Sequence, residues 1–132
     1  MSARVLLIDD DDIAREFLAS LLTDAGNVVY ELPSPIGATR TILREQIDVV
    51  ILDVFMPNMD GDKSAKILRE NARLDGVAII LVSSCEIEEL TRIAARVNAD
   101  AVVLKANARE QLVSTVSRVA QSARAKVRSS AL

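Results

Sequence analysis

The type of fold is indicated most clearly by Asp48-Val49-Val50-Ile51-Leu52-Asp53, in which four consecutive aliphatic residues stand between two aspartates. A strand that is apolar on both faces has to be covered on both faces, which is typical of the centre of a parallel sheet. The next residues, 56–61, contain the proline, asparagine and glycine of a turn. We therefore predict a buried strand over 48–53 that ends in a carboxylate and runs into a loop.

Further apolar runs lie on either side of this strand, and segments with helical spacing of apolar residues separate them. The predicted strands are Val5–Ile8, Val28–Leu32, Asp48–Asp53, Val77–Val82 and Ala101–Leu104. The predicted helices span about 13–25, 34–46, 61–71 and 86–97, and a last one begins at Asn107. This alternation predicts an α/β fold of the (βα)5 type, a doubly wound five-stranded parallel sheet with helices on both faces.

Local signals predict how these helices begin, end and face the core. Ser34-Pro35 is expected to supply an N-cap and first turn, Asn98 a left-handed cap, and Asn107 with Glu110 a capping box. In the first helix a stripe at every third or fourth position is predicted to face the core: Ile13, Ala14, Phe17, Leu18, Leu21, Leu22 and Ala25.

Composition restricts the classes of protein. The 132 residues suit a single domain, with a core over about 3–125 and a basic tail, 126–132, that is expected to fray. No apolar run approaches the roughly 20 residues of a membrane span, and no secretory leader precedes the first strand, so we expect a cytoplasmic protein. The absence of histidine and the single cysteine, Cys85, exclude histidine-dependent nucleophilic sites, intramolecular disulfides and cysteine-based zinc sites. Four basic residues of the last helix are expected to form a solvated face rather than bind nucleic acid or membrane: Arg118, Arg124, Lys126 and Arg128.

Polar side chains stand where the predicted strands end: Asp9, Asp10, Asp53, Ser83, Ser84 and Lys105. The carboxyl ends of parallel strands meet at one edge of the sheet, where ligands bind in such folds. Three carboxylates without histidine form a hard-oxygen site suited to Mg²⁺ or Mn²⁺. A hydroxyl and an ammonium group are donors suited to phosphoryl oxygens. The set therefore predicts a metal-assisted phosphoryl site in which an aspartate is the nucleophile.

From Val5 to the last helix, the chain resembles the receiver domains of two-component response regulators, such as single-domain chemotaxis regulators. The likeness rests on residues 48–61 and on the steps of 30 residues from Asp53 to Ser83 and 22 residues from Ser83 to Lys105. It implies a flavodoxin-like strand order, 2-1-3-4-5, in a single receiver domain over 1–132.

The same resemblance implies a role for each site residue. Asp53 is the implied phosphoacceptor, which takes the phosphoryl group from a sensor histidine kinase or a phosphotransfer protein. Asp10, Asp53 and the backbone carbonyl of Phe55 are the implied ligands of Mg²⁺ (or Mn²⁺), and Asp9 acts through a water. Ser83 and Lys105 are implied to bind the phosphoryl group. The chain is then no enzyme beyond catalysing its own phosphorylation and dephosphorylation.

The resemblance implies that the signal passes to a partner protein, which binds at the face formed by the fourth predicted helix, the fifth strand and the fifth helix. A homodimer is an alternative partner arrangement. No direct contact with nucleic acid or membrane is expected. Two positions depart from the family pattern. Ala106 replaces a proline after Lys105, so a trans bond is expected there, and Val102 replaces an aromatic switch residue, so a ring swing is absent.

Other readings of the acidic residues remain open. Asp11 and Asp12 are expected to serve the first turn of a helix, Asp60 to serve the turn, and Cys85 to be inert. One alternative function is a pseudo-receiver that binds a partner without phosphorylation. A second is a haloacid-dehalogenase-type phosphatase with Asp9-x-Asp11 as its motif, and a third is a flavodoxin-like cofactor binder, although no glycine-rich phosphate loop follows the first strand.

Overall fold

The computed structural model describes residues 2–56, 59–60 and 76–131, with side chains described up to residue 55 and over 76–123. The helix that the sequence predicts over 61–71 lies outside the described residues, as do Pro57 and Asn58 of the predicted turn.

Five parallel strands form the sheet. They are β1 (Arg4–Ile8), β2 (Val28–Leu32), β3 (Val49–Asp53), β4 (Ala78–Ser83) and β5 (Ala101–Leu104). Their order is β2-β1-β3-β4-β5, and every pairing is parallel. The predicted fold class and strand order are confirmed. Phe55–Met56 pairs with Met59–Asp60 in a short antiparallel hairpin, so Asp60 belongs to the turn region as predicted.

The described helices are α1 (Asp12–Asp24), α2 (Ala38–Glu45), α3 (Ile87–Val97) and α4 (Ala108–Ala131), and a 3₁₀ turn over Lys105–Asn107 leads into α4. The α4 backbone is helical through residues 126–131, where the sequence predicts fraying. Among the described residues, each helix is too short or too polar to cross a lipid bilayer.

Alternate residues of the central strands pack into two separate cores, one on each face of the sheet. One core joins α1 and α4 to the sheet, and its members include Leu7, Ile51, Val82, Leu18 and Leu112. The other joins α2 and α3 to the opposite face, and its members include Leu6, Leu52, Leu81, Ile42 and Leu90. Continuous apolar sequence in the central strands is thus explained by burial on both sides.

The predicted inward face of α1 is partly wrong. Leu18 and Leu22 are buried, but Ile13 is 82% exposed and Phe17 is 37% exposed. The helix begins at Asp12, and its first turn extends past the carboxyl edge of the sheet, so a residue there has no strand to pack against. Spacing alone does not distinguish such a residue from a core residue.

The start of α2 differs from prediction, whereas α4 begins at Ala108, directly after the predicted Asn107, but through a 3₁₀ turn. Gly37, in the left-handed conformation with φ of 84°, precedes α2, whereas Ser34 only accepts a bond from the Ile36 N–H within the loop. Asn107 lies in the 3₁₀ turn rather than at an extended N-cap position. By contrast, Asn98 adopts the predicted left-handed conformation with φ of 55°.

The amino edge of the sheet is held by reciprocal hydrogen bonds. Asp48 N–H donates to the Arg4 carbonyl and its Oδ2 accepts the Arg4 N–H, both at 2.8 Å. Asp100 makes the same pair of bonds with Ile79, also at 2.8 Å. These bonds satisfy backbone N–H and C=O groups at the amino ends of β1 and β4. They help to hold the strands in fixed register, so that their carboxyl ends also lie in fixed positions.

Candidate functional site

The carboxyl edge of the sheet brings the predicted site residues together. Asp9 directly follows β1, Asp53 and Ser83 are the last residues of β3 and β4, and Lys105 directly follows β5. In the sheet register Asp53 lies beside Val82, and Ser83 lies beside Leu104. The order of the strands therefore places Asp53 between the aspartates after β1 and the lysine after β5.

Lys105 joins two buried carboxylates. Its Nζ lies 2.8 Å from Asp9 Oδ2 and 3.0 Å from Asp53 Oδ2. Asp9 is fully buried and Asp53 is 2% exposed, whereas the lysine side chain keeps 21% of its surface exposed. One cation thus balances two anions, and the site retains a net negative charge before Asp10 is counted.

Asp9 has an incompletely satisfied side chain. Its Oδ1 accepts the Asp11 N–H at 2.9 Å, which shapes the loop after β1. Its buried Oδ2 accepts no hydrogen bond of good geometry from the described residues, and its contact is the ion pair with Lys105. A buried carboxylate oxygen with lone pairs left over is suited to a further donor or a cation.

Burial raises the pKa of Asp53 from its ordinary value of 3.8 to about 6. The Phe55 N–H, which donates to Asp53 Oδ1 at 2.9 Å, and the Lys105 ammonium oppose that rise, whereas the nearby Asp9 adds to it. At neutral pH the carboxylate is therefore mostly ionised, which is the form in which a carboxylate can act as a nucleophile.

The pKa of Lys105 is raised. Burial by itself lowers the pKa of a lysine, but the contacts with Asp9 and Asp53 stabilise the ammonium and outweigh that effect. Lys105 is thus a permanent cation at this edge and remains a donor throughout the physiological pH range.

The third carboxylate, Asp10, is exposed and faces solvent. One carboxylate oxygen from each of Asp9, Asp10 and Asp53 lies within 4.8 Å of the others. Oxygen atoms at this spacing, with no nitrogen or sulfur among them, fit Mg²⁺ or Mn²⁺ better than zinc. Phe55, two residues after Asp53, begins the short hairpin. A contact between its backbone carbonyl and a metal ion stays a prediction.

Ser83 is fully buried next to this cluster in the order of the sheet. Its Oγ accepts the Cys85 N–H at 3.0 Å, and the Cys85 thiol donates to the Glu86 carbonyl at 3.4 Å. Accepting a bond leaves the hydroxyl proton of Ser83 available for another acceptor. No cis peptide bond occurs among the described residues, so the bond from Lys105 to Ala106 is trans as predicted.

The first turn of α1 contains one residue that the sequence analysis did not identify, Arg15. Asp11 is the N-cap of α1, because its Oδ1 accepts the N–H groups of Ile13 and Ala14. Asp12 pairs with Arg15 at 2.7 Å, and Arg15 Nη1 also donates to the Asp9 carbonyl at 2.6 Å. Nothing in the position or spacing of Arg15 in the sequence indicates a contact with the backbone of the residue that follows β1.

Comparison with known proteins is consistent with this architecture. Residues 5–117 match the response regulator receiver domain. The chain is 35% identical over 104 residues to a protein-glutamate methylesterase/protein-glutamine glutaminase of Chromobacterium violaceum, covering 77% of this chain and 27% of that protein. It is 31% identical over 102 residues to a gliding motility regulatory protein of Myxococcus xanthus, covering 77% of this chain and 13% of the relative.

A solved structure gives the same picture. The chemotaxis protein CheY4 of Vibrio cholerae superposes with a TM-score of 0.80 at 28% identity, covering 90% of this chain and 99% of that one. The two relatives named above are much longer, and this chain spans about a quarter of one and an eighth of the other.

The raised pKa of Asp53 predicts how the stability of the metal-free protein depends on pH. The folded carboxyl group binds a proton more readily than the unfolded one, so the free energy of unfolding falls as pH rises from about 4 to about 6. The two pKa values limit this loss to about 3 kcal/mol. We expect Asp53→Asn to lack this loss, so that its melting temperature relative to wild type rises by several degrees between pH 4.5 and pH 7.5.

Thermal unfolding followed by circular dichroism in the presence of a chelator measures this difference. Asp24→Asn, an exposed change at the end of α1, is the control and should follow the wild-type profile. A difference between wild type and Asp53→Asn that stays constant over this range contradicts the prediction.

Proposed function

The chain belongs to the response regulator receiver domain family of two-component systems, and we propose that it signals by accepting a phosphoryl group on Asp53. The donor is the phosphohistidine of a sensor histidine kinase or of a phosphotransfer protein. The observation that carries the proposal is the position of Asp53, which is buried at the end of the central strand between Lys105 and the aspartates after β1.

The proposed transfer is an in-line displacement. A carboxylate oxygen of Asp53 forms a bond to phosphorus while the bond from phosphorus to the donor imidazole nitrogen breaks, and the imidazole leaves with that electron pair. The product is an acyl phosphate. Lys105 stays protonated and neutralises charge on the phosphoryl oxygens, so most of the catalysis is positioning and electrostatic stabilisation.

We assign Asp10 and Asp53 as direct ligands of Mg²⁺, with Mn²⁺ as a substitute, the Phe55 carbonyl as a third ligand and Asp9 as a ligand through water. When bound, the ion neutralises charge on the transferring phosphoryl group. The support for this assignment is the spacing of the three carboxylates and their negative charge, which Lys105 balances only in part.

The alternatives are less well supported. A haloacid-dehalogenase-type site requires the second aspartate of Asp9-x-Asp11 to face the reaction centre, but Asp11 Oδ1 caps α1. A pseudo-receiver does not account for the juxtaposition of Lys105 with two buried carboxylates. A flavodoxin-like cofactor binder needs a phosphate-binding loop after β1, and this sequence has no glycine-rich loop there.

The rim of the carboxyl edge supports a macromolecular phosphodonor. Several exposed apolar side chains follow the strand ends there: Ile13 (82% exposed), Ile36 (77%), Phe55 (49%) and Ile87 (42%). Apolar side chains around an acidic centre suit a protein partner that excludes water when it docks. We propose that the kinase or phosphotransfer protein binds over this rim.

We propose that output reaches a partner protein through the face of α3, β5 and α4, which correspond to helix 4, strand 5 and helix 5 of the prediction. Ser83 Oγ accepts the Cys85 N–H, so a movement of this hydroxyl towards the phosphoryl group acts first on the turn that begins α3. Val102 packs against the core with no polar tip, so it has no ring to move between buried and exposed positions.

A cytoplasmic location, a role without enzymatic activity towards other substrates, a homodimer as an option and the absence of direct nucleic-acid contact remain proposals. So do the domain limits, 1–132, with a core over about 3–125. The methylesterase activity in the name of the Chromobacterium violaceum relative, of which this chain covers 27%, is not proposed for this chain.

Asp53→Asn should abolish phosphorylation. We expect wild-type protein incubated with acetyl phosphate and Mg²⁺ to gain the mass of one phosphoryl group, because Asp53 is the carboxylate held by Lys105 at the strand end. Intact-protein mass spectrometry measures the gain, and Asp24→Asn is a control that should label fully. Labelling of Asp53→Asn at the wild-type level contradicts the assignment, and an unlabelled wild type favours the pseudo-receiver.

Ile13→Thr should impair phosphorylation by a protein donor but not by acetyl phosphate. Among the described side chains, Ile13 is the most exposed large apolar residue at the rim, and its loss should slow transfer from a phosphorylated sensor kinase by about tenfold, or roughly 1.4 kcal/mol. Val28→Thr is the matched control, since Val28 is also exposed (42%) but begins β2 at the opposite edge. Equal rates for both variants would argue against docking at this rim.

A phosphoryl mimic with Mg²⁺ should change NMR chemical shifts strongly over residues 83–87 and weakly at Val102 and Val103. The physical reason is that a movement of Ser83 Oγ towards the phosphoryl group changes the bond it accepts from the Cys85 N–H, whereas β5 offers no differential contact. Ser83→Ala should lose the shift at Cys85. Changes of equal size in both segments show that β5 is coupled to the site by another route.

A further inference from the structure

We propose that Arg15 is a positioning residue that sets the metal affinity of the site by fixing the backbone of Asp9. The proposal rests on the metal site proposed above and assigns a role to a side chain outside the ligand set. Arg15 touches neither Asp10 nor Asp53 in any described contact, so its effect has to pass through the loop after β1.

The guanidinium of Arg15 binds three different parts of the structure. Its Nη1 donates to the Asp9 carbonyl at 2.6 Å, its Nη2 donates to Asp12 Oδ1 at 2.7 Å, and its Nε lies 3.5 Å from Glu31 Oε1 in β2. Only 17% of the side chain is exposed. The arginine therefore connects the start of α1, the end of β1 and the neighbouring edge strand.

The contact with Asp9 lies where it influences the site most. The side chain of Asp9 holds Lys105 through Oδ2 and the loop N–H of Asp11 through Oδ1, while its carbonyl is held by Arg15. Asp10, the exposed carboxylate of the cluster, is the next residue in the chain. A rotation of the Asp9 peptide group therefore moves Asp10 relative to Asp53.

Charge alone does not explain the arginine. A cation next to three carboxylates weakens the binding of a metal ion, yet Arg15 is paired with two acids, Asp12 and Glu31, that offset its charge. The remaining explanation for an arginine at this position is geometric, because the planar guanidinium group presents its N–H donors in fixed directions. Lysine keeps the charge but cannot reproduce three contacts in these directions, so Arg15→Lys separates the two effects.

The test measures Mg²⁺ affinity without requiring phosphorylation. The melting temperature of the full chain is recorded during a Mg²⁺ titration for wild type, Arg15→Lys and Arg15→Gln, and isothermal titration calorimetry gives the dissociation constant directly. We expect both variants to bind Mg²⁺ about tenfold more weakly, in the range found when residues that orient metal ligands are changed. Acetyl phosphate labelling should return to the wild-type level at saturating Mg²⁺.

Arg44→Gln is the matched control, because Arg44 also pairs with an acid, Glu45 at 2.9 Å, but does so on the exposed surface of α2. It should leave the dissociation constant unchanged. Glu31→Gln is a second, milder variant, which keeps Arg15 but removes its ion pair with β2. It should weaken Mg²⁺ binding by only about twofold to threefold, since a single exposed ion pair contributes little.

The outcomes distinguish this inference from the proposed function. Arg15→Lys that melts earlier without Mg²⁺ but binds the ion as wild type does shows a merely structural role and overturns the inference. Tighter binding by Arg15→Gln shows that charge dominates and also overturns it. If the wild-type protein itself binds no Mg²⁺, the proposed metal site fails, and the inference fails with it.

Discussion

The ion pairs of Lys105 with Asp9 and Asp53 are the interaction on which the site depends. Burying a carboxylate without a partner costs several kcal/mol, and here two carboxylates are buried at one sheet edge. The ammonium at 2.8 and 3.0 Å makes their ionised forms tolerable. The single charge of Lys105 does not balance both carboxylates fully. Burial therefore still raises the pKa of Asp53, despite the opposing effect of the ammonium.

This partial imbalance is possible because the scaffold is rigid elsewhere. Two apolar cores cover the faces of the sheet, and the reciprocal bonds of Asp48 and Asp100 hold the amino edge. A parallel sheet held in this way presents its strand ends at fixed separations. Functional side chains at those ends then meet without requiring a specific loop conformation, which is why strand-end residues are informative in such folds.

That geometry also explains which features could be predicted from the sequence. Asp53, Ser83 and Lys105 follow from the ends of three apolar runs, because strand order alone brings them together. Arg15 does not, since its role depends on a bond to a backbone carbonyl that no residue pattern encodes. Ile13 has the spacing of a core residue, but it lies beyond the edge of the sheet, where periodicity no longer reports burial. The start of α2 depended on the left-handed Gly37, which outweighed the N-cap preference of Ser34.

Charge balance indicates where a signal has to begin. Asp9, Asp10 and Asp53 carry three negative charges against one on Lys105, and a divalent cation brings the sum near zero. The proposed conversion of the Asp53 carboxylate into an acyl phosphate adds about one negative charge at neutral pH, which calls for another donor. Lys105 already serves two carboxylates, whereas Ser83 has a hydroxyl proton to offer and is buried beside Asp53 in the sheet order. The Cys85 N–H that donates to Ser83 Oγ lies two residues before α3, which begins at Ile87. In the proposed transfer, a change at the phosphoryl group passes first to the start of that helix, because the side chains of β5 carry no polar group that could bond to it.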